Sequence, residues 1–358
     1  MLFLPLLAAA APLAAPLPAG PPSCAQALAV APGRQCAPTD GGVVLAADRG
    51  EAERLALILR AGEARFRLHF GRTPPRYAVV QDPEPGMIAA VAAAGFGRAL
   101  PWLSVARQQA LAEASMRRGA ESQASARGLD AAQTKALVEE STAQLRATMT
   151  ATRRRDAEGG VLAHEAGHIW YIGAYWPGAK VDAGQHYGGP GPDWLDETAA
   201  VLMEDAPLAQ SRRDQFALVY TGRATGPLAD VTAAQVTDLL WFLRSDHPGK
   251  GLQERLRAQG NTGQANIRIL TGDEARRLLP GGIRYYLQAR MFADYLQDRS
   301  GDPAIFAAVA KALAEGRTFD AWLATSGPGL RLPPDVPALE ADWRAWLKGK
   351  LGDPGTRA

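Results

Sequence analysis

The chain has 358 residues, 47% of them hydrophobic and 21% charged, an ordinary globular composition that excludes wholesale disorder and a fibrous repeat. Such a length suits about two domains and a large core. Lys and Arg number 39 against 37 Asp and Glu, and a net charge of +2 gives no electrostatic support to nucleic-acid binding.

Residues 2–15 are an apolar run of Leu, Phe, Ala and Pro, interrupted by Pro5 and Pro12 and preceded by no Lys or Arg. The run is too short to span a membrane and matches the core of a secretory signal, with Ala19 as the last residue before cleavage. No other stretch is fit to cross a membrane. The expectation is a signal peptide over 1–19 and a periplasmic or secreted protein. Cys24 and Cys36, the two cysteines of the chain, follow directly. A close, isolated pair without neighbouring metal ligands predicts a disulfide. Residues 20–42, rich in Pro, Gly and Ala, read as a tether around it.

Residues 43–155 read as an N-terminal α/β part. A short strand is predicted at 43–45 and a helix at 51–70, with apolar Leu55, Leu57, Ile58, Phe66 and Leu68. The clearest strand is 76–81, between Pro74-Pro75 and Asp82-Pro83, and 87–94 reads as a short helix stopped by Gly95. Residues 105–155 are dominated by strong helix formers, with a capping signal at Asp130 and Gln133. Arg153, Arg154 and Arg155 lie where cations suit a helix C-terminus. Residues 156–206 form the chemically informative core. Residues 207–351 read as a helical C-terminal part, with helices at 231–244, 284–298, 303–315 and 338–351. In the second of these Tyr285, Ala289, Phe292 and Leu296 share one face.

Five histidines occur, and two of them form His164-Glu165-Ala166-Gly167-His168. Spacing i, i+4 puts both imidazoles on one face of a helix, about one turn apart, where they can bind one zinc ion. Glu165 projects beside the ion, where a general base for a metal-activated water must sit. The flanks, 161–163 and 169–172, carry no charge, as expected of a helix beneath an active-site floor. Zinc needs a third protein ligand. Two candidates follow: His186, in a Gly-rich loop, and Glu197, on a helix capped by Asp193. The short-spaced His-Glu-x-x-His-x-x-Gly-x-x-His pattern fails, because residue 171 is Tyr and residue 174 is Ala. A carboxylate from a second helix is then the natural solution. Glu204, seven residues after Glu197, either orients a ligand histidine or is an ordinary polar helix residue. His69 and His247 read as structural.

The pairing of His164-Glu165-x-x-His168 with the downstream Trp194-Leu195-Asp196-Glu197 helix resembles the gluzincin metallopeptidases. It is most similar to their peptidase-MA-like branch, related to zinc aminopeptidases and thermolysin. The resemblance extends to the helical stretch 285–347 and, loosely, to 50–100. It implies an α+β, predominantly helical, thermolysin-like zincin fold, with a small N-terminal sheet and a helical C-terminal part. It also implies one Zn2+ per chain, held by His164, His168 and Glu197, and hydrolysis of a peptide or protein substrate with Glu165 as general base. Related enzymes often supply a Tyr or His to the developing oxyanion. Tyr285 and Tyr286 are the first candidates for that role, with His186 and Tyr187 in the loop as alternatives. Two features depart from the pattern. Residues 169–196, 28 in all, separate His168 from Glu197, longer than in the aminopeptidases, and the aminopeptidase Gly-x-Met-Glu-Asn motif is absent. Aminopeptidase specificity therefore does not carry over. A zinc hydrolase of another amide, such as a cell-wall peptide, and a non-catalytic peptide- or protein-binding protein on the same scaffold are the rival readings.

Overall fold

Two runs of β-branched residues, Val43-Val44 and Val79-Val80, form the centre of a four-stranded sheet. The structure, a computed structural model, describes residues 22–148, 150–179, 189–250 and 272–355. The expected signal segment, 1–19, lies outside the described residues. The strands are β1 (Gln35–Pro38), β2 (Gly42–Ala46), β3 (Tyr77–Gln81) and β4 (Arg98–Trp102), in the order β1-β2-β3-β4. β1 and β2 are antiparallel; β2, β3 and β4 run parallel.

Side chains alternate across this sheet, as the strand period demands. Val44, Ala46, Tyr77 and Val79 face the main core, while Val43, Leu45, Ala78 and Val80 face a smaller one. The crossover helix α2 (Arg49–Phe70) covers the main-core face. It starts at Asp48, whose carboxylate accepts from the Glu51 amide, and stops at Gly71, in the left-handed region at φ 61. The other face is closed by α1 (Cys24–Leu28), α3 (Met87–Val91) and the turn that follows it.

The segment expected as a tether is therefore part of the folded unit. It contributes α1 and the edge strand β1, and the Cys24–Cys36 disulfide joins the two. Its turn is held by the buried carboxylate of Glu63, which accepts from Thr39 Oγ1, the amides of Asp40 and Gly41, and the Tyr77 hydroxyl. Those partners come from residues far apart in sequence, so composition alone reads the segment as loose.

α4 (Val105–Ala126) and α5 (Ala131–Thr148) make a hairpin, with the expected reciprocal bonds between Asp130 and Gln133. The Arg153–Arg155 run does not close a helix; it opens α6 (Ala151–Tyr175). Thr150 caps that helix by accepting from the Arg153 amide, and Arg153 turns back onto the Thr148 carbonyl. Further along α6, buried Glu158 accepts from Trp102 Nε1 and Arg54, tying the sheet and α2 to this helix.

After α7 (Asp193–Met203), the helical C-terminal part comprises, among the described residues, α8 (Ala206–Tyr220), α9 (Ala233–Thr237), α10 (Leu239–Arg244), α11 (Gly272–Ser300), α12 (Ile305–Ala314), α13 (Phe319–Ser326) and α14 (Val336–Leu351). α11 begins well before the expected 284 and runs through Pro280. These helices pack around α7, whose residues from Trp194 to Met203 are all buried. The Trp194 ring meets Phe242, Phe292 and Phe319 edge-on. The architecture is α+β and predominantly helical, with a small N-terminal sheet. Among the described residues no helix is long and apolar enough to cross a membrane.

The disulfide closes a short loop, for which about 2–4 kcal/mol of stabilisation is typical. Thiol titration of the denatured, unreduced protein should find no free thiol, and reduction should lower the urea midpoint. Two titratable thiols would contradict the pairing.

Candidate metal centre

His164 and His168 stand one turn apart on α6, with ring centroids 5.1 Å apart and both rings buried. Their common face is covered by α7, and the fit between the two helices is unusually close at Gly167. A Cβ built there would lie 2.9 Å from the Ala200 Cα and 2.9 Å from the Met203 Cγ. The Ala199 carbonyl oxygen would lie 3.3 Å from the same Cβ. This close approach brings Glu197 against both imidazoles. His164 Nε2 is 3.1 Å from Glu197 Oε1, and His168 Nε2 is 4.0 Å from Oε2.

The ligand atoms of His164, His168 and Glu197 lie within 4.8 Å of one another, and these residues could hold a metal ion. A tetrahedral ion with bonds of about 2.0–2.2 Å keeps its donor atoms about 3.3–3.6 Å apart, inside the range of separations here. The Glu197 carboxylate is 1% exposed, yet neither oxygen accepts a well-aligned hydrogen bond. A buried carboxylate in that condition is costly unless a cation satisfies it. Two histidines and one carboxylate fit a site that retains an open position rather than one closed by four protein ligands.

Each histidine is oriented from behind. Glu204 Oε1 is 2.9 Å from His164 Nδ1, and Asp196 Oδ1 is 3.0 Å from His168 Nδ1. Such bonds place the proton on Nδ1 and leave Nε2 to face the cluster. Glu204 thus takes the orienting role, although it sits at the C-terminal cap of α7. Arg212, on α8, grips Glu204 from the far side, with Nε 2.7 Å from each carboxylate oxygen.

The electrostatics are those of a carboxylate-rich pocket. Burial alone would lower His164, but Glu197 and Glu204 outweigh it and push the imidazole up to about 10. His168 is likewise raised against burial, chiefly by Asp196. Burial opposes ionisation of Glu197, yet the imidazoles, His164 first, hold it at about 2. Burial raises Asp196.

The remaining candidates separate. Glu165 is half-buried next to the motif histidines. The Tyr286 ring stands edge-on to His164 at 5.6 Å, whereas the fully buried Tyr285 ring stands edge-on to His247 at 4.8 Å. The Tyr285 hydroxyl donates to the Ser245 carbonyl, and burial pushes its pKa up. His186 and Tyr187 lie outside the described residues. His69 packs far from the cluster, against Pro303 and Gln297.

Four contributors are not visible in the motif. His247, read as structural, is buried with Nε2 3.8 Å from Glu197 Oε2. Its Nδ1 accepts from the Gly249 amide, which leaves the ring proton on Nε2, and burial lowers it to about 4, so it is neutral at pH 7. Asp193 does not cap α7, which Pro192 precedes; its carboxylate accepts from the His247 amide instead. Asp196 and Arg212 give little sequence signal. A carboxylate adjoining the ligand glutamate was the one available hint.

No protein-family model, curated protein or solved structure matches the chain.

A cation entering this pocket must displace the protons that the raised imidazoles hold. Metal uptake near neutral pH should release protons, and affinity should fall as pH drops; titrations in buffers of different ionisation enthalpy measure both. Uptake without proton release would contradict the pairing. Gly167→Ala should separate α6 from α7 and weaken the metal by tenfold or more, read by chelator competition; an unchanged affinity would show that the close approach is dispensable.

Proposed function

We propose that the chain is an exported zinc metallopeptidase of the gluzincin type, on a thermolysin-like catalytic organisation. The observation that carries this reading is Glu197, delivered from a second helix to the two imidazoles of His164-Glu165-x-x-His168. A His, His, Glu donor set suits zinc. When bound, zinc would polarise the scissile carbonyl and acidify a water to about pH 7.

The chain's own residues supply the rest. Glu165, which adjoins the ligands without joining them, takes the proton of the attacking water and returns it to the leaving amine. Tyr286, at the His164 edge, is the better placed of the two tyrosines to donate to the carbonyl oxygen as charge develops. His247, neutral with its proton on Nε2, faces the same centre as a second donor. The apolar leader and the Cys24–Cys36 disulfide support a periplasmic or secreted location, where peptides and proteins are the substrates at hand.

Glu165→Gln keeps shape and hydrogen bonding but removes the base, an effect typically worth 10²–10⁴-fold. The variant should retain one zinc per chain and lose at least about a hundredfold in peptide hydrolysis. Glu197→Ala should lose the zinc itself. A Glu165→Gln variant as fast as its parent would refute the mechanism. A parent that holds zinc and binds peptides but cleaves none would favour the binding-protein reading.

A further inference from the structure

Four side chains form a closed ring beside the metal-ligand cluster. His164 Nδ1 is 2.9 Å from Glu204 Oε1. Glu204 is held by Arg212, whose Nε lies 2.7 Å from each of its oxygens and whose Nη2 also contacts Oε1. The Arg212 guanidinium lies over the Tyr286 ring, 4.7 Å from its centroid. Tyr286 closes the ring against the edge of His164 at 5.6 Å. The Glu204 side chain is fully buried and that of Arg212 is 15% exposed, so the pair is shielded from water and from salt.

We propose that Arg212 is a positioning residue that locks the His164 imidazole and the Tyr286 ring into one unit. The metal-holding geometry and the placement of Tyr286 then depend on the same side chain. The proposal rests on the cluster being a metal centre, not on peptide hydrolysis.

The chemistry of arginine explains the choice of residue. A guanidinium is planar: its edge presents a fork of donors to a carboxylate while its face stacks on an aromatic ring. Arg212 uses both at once. It neutralises Glu204, which would otherwise be a buried carboxylate with an imidazole as its main partner, and removing one member of a buried ion pair is strongly destabilising. Its face also fixes the plane of Tyr286 by a cation–π contact. A lysine keeps the charge but cannot do both. His168 is oriented by a different carboxylate, Asp196, which lies in the field of Arg98.

The test is zinc affinity by chelator competition, with the visible spectrum of the Co2+-substituted protein as a reporter of ligand geometry. Arg212→Ala should weaken zinc by about ten- to a hundredfold and alter the Co2+ spectrum. Arg212→Lys should recover part of the affinity, through charge, but not the parent spectrum. In a double-mutant cycle, Tyr286→Ala should weaken zinc severalfold in the parent and add little in the Arg212→Ala background. If Arg212→Ala does not fold, the same cycle is run with Arg212→Lys. Parent-like affinity and spectrum in the Arg212 variants would overturn the proposal, as would fully independent effects of the two substitutions. A parent that takes up no zinc would overturn the metal centre and this proposal together, and that failure shows in the parent, not in the variants.

Discussion

Where α6 and α7 cross, the backbone of Ala200 and the side chain of Met203 occupy the space that any larger residue at 167 would need. The centre depends on this contact. Glutamate is short compared with the distance between two packed helix axes, typically 8–10 Å. It reaches a pair of imidazoles on a neighbouring helix only where the backbones come close, so the residue between the two histidines does as much for the site as its neighbours that carry the chemistry. The rest of the C-terminal part then serves to hold α7 against α6. Trp194, sunk among Phe242, Phe292 and Phe319, fixes the start of α7, three residues before Glu197.

The other end of α7 is managed electrostatically. A helix C-terminus presents unsatisfied carbonyls and a partial negative charge. Arg65 donates to the Met203 carbonyl and Arg290 to the Val201 carbonyl, while Arg212 meets the Glu204 side chain at the cap. Three arginines from three different helices thus converge on a short segment that also carries the buried carboxylates of Asp196, Glu197 and Glu204. Concentrating anions there gives the imidazoles their strong basicity and creates the demand for a cation. The arginines keep that demand from unfolding the segment.

The possible metal-ligand group is legible in sequence where it is encoded locally. Two histidines at i, i+4 fix a shared helix face by geometry alone, and the failure of the short-spaced pattern turned attention to a carboxylate on a second helix. The α+β, mostly helical architecture agrees with what the family resemblance implied. What was illegible depends on contacts between distant segments. β1 looks like a tether because its pairing with β2 and its anchor on Glu63 leave no periodic trace in four residues. The arginine run at 153–155 looks like a helix end because Thr150, the residue that restarts the helix, is a weak signal next to three cations. His247 looks structural because only the fold brings a loop residue within 3.8 Å of Glu197. Tyr285 and Tyr286, adjacent in sequence, are told apart only by helix rotation, which sets one ring edge-on to His247 and the other edge-on to His164.

The two histidines of the motif are chemically equivalent in sequence and unequal in the fold. His164 leans on Glu204, a carboxylate already neutralised by a bidentate arginine; His168 leans on Asp196, a carboxylate that burial makes reluctant to ionise. A carboxylate behind an imidazole raises its basicity in proportion to the negative charge that carboxylate retains. Arg212 shares the charge of Glu204 on the His164 side, and burial opposes the ionisation of Asp196 on the His168 side. Both imidazoles are nonetheless raised, so each carboxylate keeps enough charge to act on its histidine. The basicity of the two imidazoles is therefore set in part by residues outside the three that could touch an ion.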